Sequence, residues 1–166
     1  MTERDEMVVE FISKCPCYSN TIQQIFYPSI RVSNKRLQWL YNYGYLKRIR
    51  DHASEHYFYY TKREPRQKQH FDYIARVYKW ILQQEYKILY FDIQKRYENI
   101  IPDMVCVLEK DNKIGTLAVE VELSNNDIDK KIRQYENSKF KKVLLVSNKC
   151  IENNVIEVIN LKKEDI

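Results

Sequence analysis

Two prolines and a glycine divide the first 44 residues into three short segments, each long enough for a single helix. Apolar residues recur at helical spacing over residues 3–14, and Pro16 ends this predicted first helix. A second helix, with Ser19 or Asn20 as its N-cap, ends at Pro28. This division predicts three short helices in the N-terminal part.

The third predicted helix runs from Ser33, a favourable N-cap, to Tyr43, and Gly44 terminates it. Leu37, Leu40 and Tyr41 form its buried side. The opposite side carries cationic and amide side chains, the types that reach phosphates and base edges in a major groove. The predicted DNA contacts on this helix are Ser33, Asn34, Lys35, Arg36, Gln38, Trp39 and Asn42.

A β-hairpin is predicted next, with strands at residues 45–50 and 57–61 and a polar tip at residues 51–56. Three helices followed by a hairpin form the winged helix–turn–helix pattern, so residues 1–64 are predicted to be a DNA-binding domain of that class. The predicted contacts from the hairpin are Lys47, Arg48 and Arg50. The alternative is a winged helix used only for protein contacts.

The net charge of +5 is unevenly distributed along the chain. Residues 1–70 carry 12 basic and 7 acidic side chains, whereas residues 71–166 carry 16 of each. Residues 31–68 alone carry 10 basic and 3 acidic side chains. Such an excess favours a polyanionic partner, because basic side chains placed on phosphates release counterions. The alternative is a solvated basic face without a ligand.

Other classes of protein are disfavoured by the composition. No apolar run approaches the roughly 18 residues of a membrane span, so no membrane partner is expected. The acidic N-terminus lacks the apolar core of a signal peptide, and the four scattered cysteines do not form a disulfide framework. We therefore expect a cytoplasmic location.

Residues 69–166 are predicted to form a second domain, of mixed α/β or α+β class. An amphipathic helix at residues 70–84 is followed by strand-like runs and by one strong helix at residues 127–138. The predicted strands are residues 87–91, 104–108, 116–123, 143–147 and 155–159. Their alternation with helices predicts a small mixed sheet on which helices pack.

The hairpin formed by the second and third of these strands contains the acidic residues of greatest chemical interest. If its turn centres on Asp111 and Asn112, Asp103 lies opposite Glu120, and both side chains point to the same face. Glu122 lies two residues beyond Glu120, on the same face. Paired carboxylates are destabilising unless a cation or a proton neutralises them, and Mg²⁺ is a suitable cation. The alternative is a set of solvated acids at a strand edge.

These residues resemble a known nuclease signature. Ile101-Pro102-Asp103, followed about 17 residues later by Glu120-Val121-Glu122, is similar to the PD-(D/E)xK motif. Together with the N-terminal winged helix, it resembles the replication-relaxation family of plasmid and mobile-element proteins. His70 at the start of the helix after the wing, and Lys131 and Tyr135 on the later helix, are similar to that family's pattern.

The resemblance implies roles for particular residues. Asp103 and Glu120 would be catalytic residues that hold Mg²⁺ or Mn²⁺, with the Val121 carbonyl as a further ligand. Glu122 stands where active members of the nuclease superfamily have a lysine, and Lys131 would substitute for that lysine from the helix. The departure at Glu122 favours a degenerate nuclease-like domain over an active enzyme.

Three functions follow from these expectations. The first is a DNA-binding protein of a plasmid or mobile element that assists replication, DNA relaxation or conjugative transfer. Its partners would be double-stranded DNA and a relaxase or a replication protein, and a palindromic site would require a homodimer. The second is a Mg²⁺-dependent endonuclease or nickase, and the third is a winged-helix transcription regulator.

Overall fold

The N-terminal segment of the computed structural model confirms the first predicted helix. The structure describes residues 1–50, 55–124 and 127–166. Helix α1 spans Glu3–Lys14, as predicted. It begins there because Thr2 and Asp5 form a capping box, in which Asp5 N donates to Thr2 Oγ1 and Thr2 N donates to Asp5 Oδ2.

The next two helices exist but begin earlier than predicted. Helix α2 spans Ser19–Phe26, and its N-cap is Tyr18, so the prediction that Ser19 or Asn20 caps it is wrong. Helix α3 spans Ile30–Asn42. Its N-cap is Ser29, whose hydroxyl accepts from Val32 N, and Ser33 is a buried residue inside the helix. Both Ser29 and Ser33 suit an N-cap, but Pro28 ends the preceding segment and leaves Ser29 as the first available cap.

A three-stranded antiparallel sheet accompanies these helices, with its strands in the order β1-β3-β2. Its strands are β1 (Cys17–Tyr18), β2 (Lys47–Arg50) and β3 (Tyr57–Tyr60). The hairpin β2–β3 confirms the predicted pair of strands, whereas β1 was not predicted because two residues show no alternation. Most of the predicted tip, residues 51–54, lies outside the described residues.

Helix α4 spans Lys68–Gln83, close to the prediction. Contacts divide the chain into two compact units, Met1–Lys79 and Trp80–Ile166. The first turns of α4 therefore belong to the first unit, where buried Asp72 accepts hydrogen bonds from Tyr18 N and Thr21 Oγ1. The predicted domains, residues 1–64 and 69–166, place the boundary before this helix rather than within it.

The second unit contains a five-stranded mixed sheet in the order β4-β5-β6-β7-β8. The strands are β4 (Lys87–Ile93), β5 (Met104–Lys110), β6 (Lys113–Val121), β7 (Lys142–Val146) and β8 (Glu157–Leu161). The first two pairings are antiparallel and the last two are parallel. All five predicted strands are present, and the two sheets and the helices make the described chain a mixed α+β protein.

The predicted register of the β5–β6 hairpin is confirmed. Met104 pairs with Val119, and the ladder continues to the turn, where Asp111 and Asn112 both have positive φ. Two consecutive left-handed residues form a turn whose twist matches that of an antiparallel pair. The register of the whole hairpin follows from this turn.

Helix α5 spans Ile128–Glu136 and connects the parallel strands β6 and β7. Asp127 caps it by accepting from Lys130 N. One face of the sheet packs against α5 in a buried cluster formed by Ile100, Val105, Ala118, Ile128, Ile132, Tyr135, Phe140, Val143, Leu145 and Ile156. The face that carries Val105 and Ala118 is also the face toward which Asp103 and Glu120 alternate.

The four cysteines are all free thiols. Cys15, Cys17 and Cys106 are buried and Cys150 is exposed, in agreement with the expectation that the chain has no disulfide framework. Among the described residues, no helix is both long enough and apolar enough to span a bilayer.

Candidate functional site

The exposed side of α3 presents a row of polar side chains. Asn34, Lys35, Gln38 and Asn42 are exposed, as predicted, and Arg31 joins them one turn earlier because the helix begins at Ile30. Gln38 Nε2 donates to Asn42 Oδ1 at 2.6 Å. Arg31 was not among the predicted contacts, because Ser33 rather than Ser29 was expected to cap the helix. We call these five residues the polar face of α3.

Two predicted contact residues have structural roles on the same helix. Ser33 is buried, so its predicted role as a DNA contact is wrong. Arg36 Nε donates to Oδ1 of buried Asp5 at 3.1 Å, and the guanidinium forms an ion pair with Asp5 Oδ2. Burial acts to raise the pKa of Asp5, but hydrogen bonds from Arg36 and Thr2 outweigh it and lower this pKa to about 2. Arg36 therefore joins α3 to α1 through its bonds to Asp5.

Arg48 of the hairpin connects β2 to α3. Its Nη1 donates to Gln38 Oε1 at 2.8 Å, and its guanidinium lies over the rings of Tyr41 and Tyr57 at 4.2 and 4.1 Å. Tyr41 was predicted to be buried but is 40% exposed beneath this guanidinium. Lys47 and Arg50, the other two predicted hairpin contacts, are exposed on either side of Arg48. Arg48 thus fixes the hairpin beside the polar face of α3.

The second unit contains a compact cluster of two carboxylates, one ammonium and one phenol. Asp103, just before β5, accepts from Val121 N at 2.8 Å through Oδ2, and its own N donates to Val119 O at 3.1 Å. Lys131 Nζ of α5 lies 3.7 Å from Asp103 Oδ2 and forms an ion pair with Glu120 Oε2. The Tyr135 hydroxyl donates to Glu120 Oε1. We call Asp103, Glu120, Lys131 and Tyr135 the acidic cluster.

The electrostatics of the acidic cluster follow from two acids that share one base. Burial, assisted by the nearby charge of Asp103, raises the pKa of Glu120 to about 8, although Lys131 and Tyr135 act in the opposite direction. Burial acts to lower the pKa of Lys131, but the charges of Glu120 and Asp103 outweigh it and raise this pKa. Burial and the same carboxylates raise the pKa of Tyr135. Lys131 therefore stays charged at neutral pH, whereas Glu120 favours its protonated form there.

Glu122 does not share these contacts. Its carboxylate accepts from Ser124 N at 2.9 Å and from Ser124 Oγ at 2.6 Å, and its own N donates to Val146 O. The side chain thus closes the turn that follows β6. At the position where the nuclease resemblance expects a lysine, the structure has an acid with a local role.

The donor set of the acidic cluster does not fit a divalent cation. Asp103 Oδ2, Glu120 Oε1 and Glu120 Oε2 each face a protein donor or ammonium, and Mg²⁺ and Mn²⁺ prefer uncommitted carboxylate oxygens. In the described residues, no three His, Cys, Asp or Glu side chains are grouped in a way that would hold a metal ion. The ammonium of Lys131 balances one of the two acids, and the raised pKa of Glu120 favours a bound proton on the other near neutral pH.

Comparisons of the chain with family models, with curated proteins and with solved structures gave no match.

Proposed function

We propose that the protein binds double-stranded DNA through the polar face of α3 and the hairpin β2–β3. The observation that carries this proposal is the charge of residues 31–50, which contain six basic side chains and no acidic one. The polar face of α3 offers amide and cationic groups with the reach and chemistry that base edges and phosphates require. Arg50 lies on the same face of β2 as Arg48 and extends this surface, whereas Lys47 lies on the opposite face, where its Nζ donates to Lys62 O at 2.9 Å.

We also propose a specific fold class for each of the two units. Three helices followed by a hairpin support a winged helix–turn–helix in the first unit. An antiparallel pair, β5–β6, followed by α5 and parallel β7 supports a PD-(D/E)xK-like domain in the second. The motif resemblance extends the proposal to a plasmid or mobile-element protein that assists replication, relaxation or transfer, with a relaxase or replication protein as partner.

We further propose that the nuclease-like unit does not cut DNA. Lys131 lies against both Asp103 and Glu120 and balances one of their charges, which supports a structural role for the acidic cluster. Incubation of supercoiled plasmid with Mg²⁺, Mn²⁺ or a chelator tests this statement, with Asp103→Asn as the matched variant. We expect no nicking under any of these conditions. Metal-dependent nicking that Asp103→Asn abolishes would instead make the protein an endonuclease.

Duplex binding is tested by fluorescence anisotropy with a labelled mixed-sequence duplex of about 30 base pairs, titrated at several salt concentrations. We expect binding to weaken steeply with salt, and Lys35→Gln to weaken it and reduce the slope of log K against log salt by about one. Lys130→Gln, an exposed helical lysine of the second unit, removes the same charge and should change neither. Equal effects of the two variants, or an affinity that does not depend on salt concentration, would refute the proposal that this surface binds DNA.

Sequences selected from a plasmid library distinguish this function from a transcription regulator. Enrichment of replication or transfer origins supports the mobile-element assignment. Enrichment of the protein's own upstream region, with a footprint there, would favour regulation.

A further inference from the structure

Three aromatic rings form a stack at the C-terminal end of α3. The Trp39 ring lies 4.4 Å from that of Tyr43 and 5.9 Å from that of Tyr45, with interplanar angles of 29° and 17°. The Arg36 guanidinium lies 5.0 Å from the Trp39 ring centre. We call Trp39, Tyr43 and Tyr45 the aromatic stack.

The aromatic stack is more exposed than a role in the core requires. Tyr43 is 66% and Tyr45 43% exposed, although the next residue, Leu46, is buried. Gly44 has a φ of 78°, a left-handed conformation that ends α3 and lets the chain turn back so that Tyr45 lies beside Trp39. The turn therefore keeps flat aromatic surface in contact with solvent instead of burying it.

The aromatic stack lies next to the polar face of α3 on the helix surface. Arg36, Trp39 and Tyr43 follow one another at intervals of three and four residues, so they form one flank of the helix. Tyr41, which Arg48 covers from the hairpin, lies on the other flank. The polar face thus lies between the hairpin and the aromatic stack, in a segment whose charged residues are all basic.

We propose that the aromatic stack binds unpaired bases of single-stranded DNA. Each base has a flat π-face that stacks on exposed tyrosine or tryptophan, and a basic surround attracts the phosphates that connect the bases. The near-parallel rings present such a face, and exposed Arg31 and Lys35 of the adjoining polar face supply the complementary charge. The proposal rests on the proposed function in taking DNA as the ligand, but it assigns a different flank of α3 and a different form of DNA.

Fluorescence quenching of Trp39 measures this interaction directly. The chain has two tryptophans, so Trp80→Phe leaves Trp39 as the only one. Titration of this variant with an oligothymidylate of about ten nucleotides should quench the fluorescence, because thymine stacks on the aromatic rings. In the same background, Tyr43→Ala should weaken binding about tenfold, whereas Tyr43→Phe should retain it. Tyr90→Ala, a similarly exposed tyrosine of β4, is the matched control and should bind as the parent does.

The outcomes separate this proposal from its competitors and from duplex binding. An abasic oligonucleotide of the same length should bind more weakly and leave the fluorescence unchanged. Quenching that is absent, or that the abasic chain produces equally, would overturn the proposal. Sedimentation that shows a dimer lost on Tyr43→Ala would assign the aromatic stack to a second copy of the chain and would also overturn it. Duplex binding is tested separately with Lys35→Gln. The two proposals, duplex binding and single-strand binding, can therefore fail independently.

Discussion

Both compact units bury carboxylates that a basic side chain neutralises, yet the two sites shift carboxylate pKa values in opposite directions. In the first unit, one acid has one base, and the pKa of Asp5 falls to about 2 beside Arg36. In the second unit, two acids share Lys131, and burial raises the pKa of Glu120 to about 8. Burial opposes ionisation at both sites, so the ratio of bases to acids decides the direction of the shift.

The largest effect is expected in the second unit, where two acids share one base. Lys131→Met leaves Asp103 and Glu120 without a counter-charge and should lower the free energy of unfolding by about 3 kcal/mol near pH 8. Because the pKa of Glu120 is raised in the folded state, the native protein itself loses stability as pH rises from about 4.5 to about 8. The variant should lose more over this range, so its deficit shrinks toward pH 5. Urea denaturation at several pH values measures this trend.

Two further variants make the test specific. Lys130→Met, at an exposed position of α5, should change stability by less than about 0.5 kcal/mol. The double variant Glu120→Gln/Lys131→Met should recover stability relative to Lys131→Met, because it removes one of the two uncompensated acids. A deficit that is equal at pH 5 and pH 8 would contradict the interpretation of Glu120.

A smaller effect, which also shrinks toward acid pH but over a lower pH range, is expected in the first unit. Arg36→Met should cost about 2 kcal/mol at pH 7, because Asp5 stays buried while its ionic partner is lost. The lowered pKa of Asp5 stabilises the native fold above its ordinary value of 3.8, and this contribution is lost as pH falls toward 2. The deficit of the variant should therefore shrink toward acid pH, and it should reach its full value only where Asp5 is ionised in the variant as well. Lys35→Met, one residue earlier and exposed, is the control.

The smallest effect concerns the phenol of the acidic cluster. Tyr135→Phe removes the hydroxyl that donates to Glu120 and should cost about 1 kcal/mol. It should also raise the pKa of Glu120 further, which NMR titration of a side-chain-labelled sample would measure. Tyr90→Phe removes a bond of the same kind to Asp92 at the surface and should be nearly neutral. Equal costs for the two variants would mean that burial does not strengthen the bond to Glu120.

The acidic pair was predictable from sequence because its determinants are local. The turn at Asp111 and Asn112 fixes the register, and the register places Asp103 opposite Glu120 without further information. The approach of Lys131 was expected only from the resemblance to the nuclease signature, which gave it the role of the missing lysine. Local register could therefore bring together two acids about 17 residues apart, but not the base from α5.

The role of Arg36 was not predictable in the same way. Its partner Asp5 lies 31 residues away in sequence on a different helix, and no spacing rule connects them. The start of α3 was misplaced because Ser29 and Ser33 are both chemically suitable caps, and this error hid Arg31 and assigned an exposed role to Ser33. Exposure of Tyr43 and Tyr45 depends on a single left-handed glycine, whose effect on nearby rings no periodicity describes.

The buried thiols have a practical consequence for studying how the molecule opens. Cys15 and Cys17 belong to the first unit and Cys106 to the second, and burial raises the pKa of Cys106 to about 12 and that of Cys17 well above its usual range. Such thiols react with alkylating reagents only when the surrounding structure unfolds locally. Pulsed alkylation read by mass spectrometry would thus time the opening of each unit separately in one sample, with exposed Cys150 as the internal standard for reagent activity.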